Sequence, residues 1–162
     1  MVARLPRGAA LVYRPFGAPD AERTAARLAA GLHARGAKLL IGADARLARK
    51  VGADGVHLPE RAAAEARRLK RACPGWIVTA AAHSFRAVRR ARAAGADAAV
   101  VSAVFPSGSP SAGAPLGVLR LAQMTCAAGL PVYALGGVND GSAARLKDLP
   151  LAGLAAVDGF RT

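Results

Sequence analysis

The segment Gly52-Ala53-Asp54-Gly55-Val56 recurs almost unchanged as Gly95-Ala96-Asp97-Ala98-Ala99. In both places an Ala/Arg-rich segment with helical spacing precedes the glycine, and a short apolar run follows the aspartate. Glycine is favoured where helices end because it adopts the left-handed conformation without steric cost. Each copy therefore predicts a junction at which a helix ends and the chain turns into a strand.

Short apolar runs of this kind occur seven times along the chain. Most of them lack strict polar alternation, which predicts strands covered on both faces, as in a parallel sheet. The predicted strands are Ala9–Tyr13, Lys38–Ile41, Gly55–Leu58, Trp76–Ala80, Ala98–Ala103, Pro131–Leu135 and Leu154–Val157. The segments between them predict helices over Pro19–Ala34, Ala43–Val51, Arg61–Ala72, Ser84–Ala94, Gly117–Ala128 and Ser142–Asp148.

The alternation of strands and helices predicts an α/β protein with right-handed crossovers. A closed (β/α) barrel needs eight strands, whereas an open doubly wound sheet has no fixed number, so the pattern alone leaves both architectures open. No linker or change in composition divides the chain, which predicts one domain over residues 1–162.

The amino-acid composition excludes several classes of protein. The 162 residues include 23 Lys plus Arg against 10 Asp plus Glu, a net charge of +13, and 53% are hydrophobic, which excludes intrinsic disorder. Aromatic residues make up only 4%, too few for extensive stacking on bases, so we expect no nucleic-acid partner. No apolar run approaches the roughly 20 residues of a membrane span. The first residues lack the apolar middle of a signal peptide, so we expect a cytoplasmic protein.

Residues that follow the predicted strands are the candidates for function, because parallel α/β folds place their chemistry at the carboxyl ends of strands. His83 and Ser84 follow one strand, and an imidazole exchanges protons near neutral pH. Ser84 also stands at the N-cap position of the next helix. Gly136 and Gly137 follow another strand, where glycines allow backbone N–H groups to approach an anion closely.

Four motifs occur in an order that resembles a known family. They are Gly-Ala-Asp-Gly-Val-His-Leu (52–58), His-Ser (83–84), Val-Phe-Pro-Ser (104–107) and Pro-Val-Tyr-Ala-Leu-Gly-Gly-Val (131–138). Together they resemble the thiamine phosphate synthase and TenI-like thiazole tautomerase family. The resemblance implies an α/β fold of the (β/α)8 TIM-barrel type that here lacks the first β/α unit and retains seven strands. We expect the true start codon to lie upstream. Open strand edges would otherwise favour a homo-oligomer.

The resemblance also implies a ligand, a small phosphorylated thiazole, and roles for individual residues. His83 matches the proposed acid/base of the tautomerases, with Ser84 beside it. Arg14 is what remains of the family's Gln-x-Arg-x-Lys signature. The residues implied to bind substrate or phosphate are Arg14, Ser84, Ser107, Ser109, Gly136, Gly137, Asp158 and Gly159.

The sequence departs from the family on the diphosphate and metal side. Gly42-Ala43 and Ala62 stand where the synthases carry Mg²⁺ ligands, which leaves Asp44 and Glu60 as weak metal candidates, and Pro110 replaces a diphosphate-binding lysine. We therefore predict a thiazole tautomerase that uses no metal or other cofactor. The alternatives are a Mg²⁺-dependent thiamine phosphate synthase and a catalytically inactive barrel that binds a phosphorylated ligand.

Overall fold

The computed structural model of the protein describes residues 5–108 and 113–157. Strands and helices alternate in it. The strands are β1 (Ala10–Tyr13), β2 (Lys38–Gly42), β3 (Gly55–Leu58), β4 (Ile77–Ala82), β5 (Ala98–Val101), β6 (Val132–Ala134) and β7 (Gly153–Leu154). The helices are α1 (Ala21–His33), α2 (Ala45–Lys50), α3 (Ala66–Ala72), α4 (Phe85–Ala93), α5 (Gly117–Cys126) and α6 (Asp140–Ala143). Two 3₁₀ helices, Glu60–Glu65 and Ala144–Leu146, precede α3 and follow α6.

The seven strands form one parallel sheet whose spatial order is the order of the sequence, from β1 to β7. In a β/α barrel each strand pairs with the next along the chain, whereas a doubly wound sheet reverses its direction at a switch point. The observed order has no reversal, so the two architectures that the sequence left open are now distinguished. The prediction of a TIM-type fold with seven strands is confirmed, and β1 and β7 are the edges of the described sheet.

The last strand differs from its prediction. The apolar run predicted a strand over Leu154–Val157, but β7 consists of only two residues, which begin one residue earlier and pair with Tyr133 and Ala134 of β6. One further ladder bond joins the N–H of Ala155 to the carbonyl of Ala134 at 2.8 Å. Pairing ends there because β6 itself ends at Ala134. The length of β7 is therefore set by the length of β6 and not by the apolar run that follows Leu154.

The outer face of the sheet carries the largest buried side chains. Leu39, Ile41, Val56 and Val78 are completely buried and pack in the same cluster as Leu32 of α1. They alternate along their strands with residues of the opposite face, as the two-residue period of a strand requires. Burying one such side chain contributes roughly 1.5–3 kcal/mol, so this layer between sheet and helices is the main source of stability.

The inner, concave face is less completely covered. Leu40 and Thr79 on this face are buried, whereas Val12 on β1 is 38% exposed. Residues that follow the strands on this face therefore stand beside an accessible concave surface, where a ligand can reach them.

The repeated Gly-Ala-Asp segments have the same structural role in both places. Asp54 accepts a hydrogen bond from the N–H of Leu39 through its carboxylate (2.8 Å) and donates its own N–H to the Leu39 carbonyl (2.9 Å). Asp97 makes the same pair of bonds with Val78, at 2.7 and 2.8 Å. Each aspartate thus ties the start of its own strand to the preceding strand and sets the register between them.

The carboxylate of Asp54 also has side-chain partners, His33 at 2.8 Å and Lys38 at 2.9 Å. Partial burial alone would raise its pKa, but the hydrogen bonds from Leu39, Lys38 and His33 favour the ionised form more strongly, so the pKa of Asp54 is lowered. This aspartate therefore remains charged in the folded protein and is a structural residue.

No helix in residues 5–108 or 113–157 is long and apolar enough to cross a lipid bilayer.

Candidate active site

Arg14 lies at the carboxyl end of β1, beside a position without a side chain. The register places Tyr13 opposite Ile41, so Arg14 follows next to Gly42. A Cβ added to Gly42 would lie 2.5 Å from Cγ of Arg14, which shows that the arginine occupies the space a side chain would take. The absence of a side chain at Gly42 therefore allows Arg14 to extend across β2.

The guanidinium group of Arg14 has one aromatic contact. Its Cζ atom lies 4.6 Å from the centre of the Phe16 ring, which is itself 81% exposed. A cation over an aromatic face at this distance is attracted to the ring by roughly 0.5–1 kcal/mol when both are exposed. The contact orients the guanidinium without neutralising its charge, so Arg14 remains available to an anion.

His57 lies in the same layer of the sheet, paired in register with Gly42 on one side and Thr79 on the other. Its Nδ1 atom is 2.9 Å from Oγ1 of Thr79. Burial, with a second contribution from the positive charge of Arg14, lowers the pKa of His57 to about 4. His57 is therefore a neutral, packed residue of the sheet at neutral pH.

The low pKa of His57 predicts a pH dependence. Unfolded histidine titrates near pH 6.5, so between pH 6.5 and about 4 the unfolded chain binds more protons, and stability falls as the pH is lowered through this range. The NMR titration midpoint of His57 is expected near pH 4. Arg14→Ala removes a neighbouring positive charge and is expected to raise that midpoint.

Arg71→Ala is the matched control for this titration. Arg71 is exposed at the end of α3, which leads to the amino end of β4, whereas Arg14 lies at the carboxyl end of its strand. It is expected to leave the His57 midpoint unchanged. A midpoint near pH 6.5 in the unmodified protein, or equal shifts in the two variants, would contradict the electrostatic link between Arg14 and His57.

His83 and Ser84 follow β4 at the same edge. Ser84 caps α4, because its Oγ accepts the N–H of Ala87 at 3.2 Å, and the predicted N-cap is confirmed. His83 is exposed, and its Nδ1 atom lies 2.7 Å from the carbonyl oxygen of Ser102, just after β5. Two neighbouring loops are therefore joined through the imidazole ring.

The two metal candidates are engaged in other bonds. Asp44 caps α2 by accepting the N–H of Leu47 at 2.8 Å. Glu60 accepts the N–H of His83 at 2.8 Å through Oε2 and pairs with Arg90 at 3.2 Å through Oε1. The described residues contain no group of three or more His, Cys, Asp or Glu side chains able to hold a metal ion. This set of donors does not fit the Mg²⁺ site that the family resemblance implies.

Gly136 and Gly137 both have positive φ angles, 94° and 64°. A Cβ on Gly136 would lie 2.8 Å from Cα of Ala103, and a Cβ on Gly137 would meet the carbonyl oxygen of Pro106. The loops after β5 and β6 also share backbone bonds, since the N–H of Phe105 donates to the carbonyl of Gly136 at 3.0 Å. Both glycines are thus required by the close approach of these two loops.

The chain enters α6 directly after this glycine turn. Asn139 and Ser142 form a reciprocal capping box, in which each side chain accepts the other residue's N–H, at 3.0 and 2.9 Å. Because this box makes Asp140 the first helical residue, α6 begins two residues before the Ser142 start that the sequence predicted.

Of the four remaining candidate substrate-binding residues, the structure describes only Ser107. Ser107 lies in the loop after β5 and is partly buried. Near it, the guanidinium of Arg145 stacks over the ring of Phe105 at 5.0 Å, a cation close to the glycine turn that sequence reasoning missed. Ser109, Asp158 and Gly159 lie outside the described residues.

These observations define a class of protein, a protein of the parallel β/α-barrel type. It carries an arginine, a histidine and a glycine-rich turn at the carboxyl ends of three different strands. The family model for thiamine monophosphate synthase matches residues 7–160, and the chain belongs to that family. It is 36% identical over 154 residues to thiamine-phosphate synthase of Thiobacillus denitrificans, a match that covers 92% of this chain and 72% of the relative. It is 32% identical over 162 residues to the protein of the same name from Chlorobium luteolum, covering 97% and 76%.

One solved structure agrees with this assignment. The thiamine phosphate pyrophosphorylase from Pyrococcus furiosus superposes with a TM-score of 0.78 at 25% identity, covering 92% of this chain and 72% of that one. Other relatives are matched over a smaller share of their length. The chain spans 55% of a relative from Aquifex aeolicus and 56% of one from Geobacter sulfurreducens.

Proposed function

We propose that this chain binds a phosphorylated thiazole at the carboxyl edge of its sheet and couples it to a pyrimidine diphosphate to form thiamine phosphate. The observation that carries the proposal is that relatives named for this reaction align with 92% and 97% of the chain. The sequence favoured the tautomerase as the main interpretation. The relatives' names favour the alternative, the synthase.

Arg14 is the residue that suits the leaving group. In the coupling, a ring nitrogen of the thiazole forms a bond to carbon, the carbon–oxygen bond to the diphosphate breaks, and the electron pair departs with the diphosphate. The guanidinium follows β1, and the arginine side chain extends over Gly42, which has no side chain. It is positively charged, and the ring of Phe16 orients it. A fixed cation that meets charge as it develops lowers the barrier to such a step.

The phosphate of the thiazole is assigned to the turn at Gly136 and Gly137. Positive φ angles at both residues, and the absence of side chains there, permit backbone N–H groups to approach an anion. Arg145, over Phe105, adds positive charge nearby. Asp44 and Glu60 do not fit a Mg²⁺ site, because they are already engaged in capping and ion pairing.

A second candidate, thiazole tautomerisation, is favoured by His83. The ring is exposed at the carboxyl end of β4, and its Nδ1 atom is hydrogen-bonded to a carbonyl oxygen. Nε2 is therefore the nitrogen that can take a proton from a thiazole and return it. This reaction needs neither a diphosphate nor a metal.

Two assays on the same protein separate these candidates. Thiazole phosphate and pyrimidine diphosphate are supplied together and thiamine phosphate is measured, while NMR follows thiazole phosphate carboxylate tautomers in a parallel sample. Arg14→Ala is expected to lower the coupling rate about 100-fold, the usual order for losing one preorganised donor. Arg71→Ala should leave the rate unchanged.

Coupling that depends on Arg14 would support the synthase proposal. Tautomer exchange without coupling would overturn it in favour of the second candidate. Neither activity in folded protein would contradict both and favour the inactive phosphate-binding barrel, which predicts binding of thiazole phosphate without turnover.

A further inference from the structure

Three consecutive loops at the carboxyl edge of the sheet meet at His83. The 3₁₀ helix after β3 contributes Glu60, the loop after β4 contributes His83 itself, and the chain after β5 contributes Ser102. Glu60 binds the backbone N–H of His83 and Ser102 binds its ring, at 2.8 and 2.7 Å. The backbone and the ring of this one residue are therefore held from opposite neighbours in the sheet.

The contact with Ser102 assigns the tautomer of the ring. A carbonyl oxygen can only accept a hydrogen bond, so Nδ1 of His83 carries a proton. In a neutral imidazole the lone pair then resides on Nε2. Among the residues that the structure describes, Nε2 has no hydrogen-bond partner, whereas Nδ1 also has Oγ of Ser102 at 3.3 Å.

Glu60 is itself held by a neighbouring helix. Arg90 of α4 donates both to the Glu60 carboxylate, at 3.2 Å, and to the Glu60 carbonyl, at 3.1 Å. The side chains of Glu60 and Arg90 are 30% and 44% exposed, so the pair is partly shielded from water. With one carboxylate oxygen on Arg90 and the other on His83, both oxygens of Glu60 are used within the protein.

We infer that Glu60 is a positioning residue for His83. Glu60, which is anchored by Arg90, holds the backbone of His83 in place. The Ser102 carbonyl then fixes the ring with Nε2 as its basic nitrogen. The inference rests on the second candidate function, tautomerisation, only in that its substrate is expected to use Nε2. It gives Glu60 a role different from the metal ligand that the sequence suggested. The described groups that face His83 are the carboxylate of Glu60, the guanidinium of Arg90 behind it, and the carbonyl and hydroxyl of Ser102.

The test observes the imidazole directly. The chain contains only three histidines, so ¹⁵N-detected ring spectra of the full chain can be assigned with single His→Gln variants. In its neutral form, His83 is expected to show a proton on Nδ1 and none on Nε2. Glu60→Ala is expected to produce exchange between both tautomers, because the backbone anchor is lost.

Glu65→Ala is the matched control, since Glu65 lies on the same 3₁₀ helix and forms a surface ion pair with Arg68 at 3.4 Å. It should leave the His83 spectrum unchanged, whereas Glu60→Gln, which retains an oxygen acceptor for the His83 N–H, should preserve the tautomer. Arg90→Ala is a second variant of the same anchor, with exposed Arg86→Ala on the same helix as its control.

Turnover gives an independent measure. In the tautomerisation assay, Glu60→Ala is expected to lower kcat about 10-fold to 100-fold, part of the roughly 10²–10⁴-fold that a positioned acid–base group contributes, with little change in KM. A proton on Nε2 in the unmodified protein, or an unchanged His83 spectrum in both Glu60→Ala and Arg90→Ala, would overturn the inference whatever the turnover. A changed spectrum with unchanged kcat would overturn the use of Nε2 by the substrate and leave the coupling proposal standing.

Discussion

Gly55→Ala is expected to destabilise the folded protein severely. Gly55 is buried in β3, opposite Ile77 of β4, and a Cβ there would meet the Ile77 carbonyl oxygen while lying 2.7 Å from its backbone C and N atoms. Those are backbone atoms in the centre of the sheet, so no side chain can rotate to make room. Relieving the overlap requires β3 and β4 to separate, which breaks the pairing on which the register depends.

The cost of that separation exceeds an ordinary core substitution, for which overpacking costs about 1–3 kcal/mol. We expect a loss above about 4 kcal/mol, a large part of the roughly 5–15 kcal/mol that stabilises a typical domain. Urea unfolding followed by circular dichroism measures it. Gly75→Ala is the matched control, because nothing lies within 4 Å of a Cβ there, and its effect should stay within about 1 kcal/mol. Equal stability of the two variants would contradict the predicted contact between β3 and β4.

Gly137→Ala is expected to weaken binding of thiazole phosphate at least about 100-fold, if the glycine turn holds the phosphate as proposed. Gly137 has a φ angle of 64°, and a Cβ would meet the Pro106 carbonyl oxygen and lie 2.7 Å from Cβ of Phe105. The turn must therefore move away from the loop after β5. Its N–H groups then no longer converge on one anion, and such charge-assisted bonds are the strong ones.

Isothermal titration with thiazole phosphate measures this loss, and Gly141→Ala provides the control. A Cβ on Gly141 meets only Oδ1 of Asn139 at an ordinary 3.5 Å, and alanine suits its position in α6. In the unmodified protein, titration with inorganic phosphate should shift the amide resonances of Gly136, Gly137 and Val138. Unchanged affinity in folded Gly137→Ala, or no amide shifts on phosphate addition, would show that the phosphate binds elsewhere.

Much of the fold was predictable because its signals are local. The apolar runs predicted all seven strands, and Gly55–Leu58 was predicted to the residue. The glycines of the repeated segments, Gly52 and Gly95, have φ angles of 65° and 78°, as helix ends require. Less regular elements were less well predicted, since the helix expected over Arg61–Ala72 is a 3₁₀ helix over Glu60–Glu65 followed by an α-helix over Ala66–Ala72.

The candidate site was predictable in position but not in its contacts. Arg14, His83 and the glycine pair all lie at the carboxyl ends of strands, as expected for a parallel sheet. The proximity of Arg14 to His57 was missed, because it depends on the register between strands and on the missing side chain of Gly42. The partners of Glu60 were missed for a similar reason, since they lie 23 and 30 residues away along the chain.

The sequence by itself determined the order of strands and helices and the segments at which loops turn, because hydrophobic period and glycine conformation act within a few residues. The sequence also indicated the family, because four of its motifs occur in the expected order. The tertiary structure alone decided the strand order that separates a barrel from a doubly wound sheet, and it alone showed that Asp44 and Glu60 are engaged in structural bonds. A carboxylate has the same chemistry as a metal ligand, a helix cap or an anchor, and only the atoms that the fold brings within about 3 Å decide which role it has.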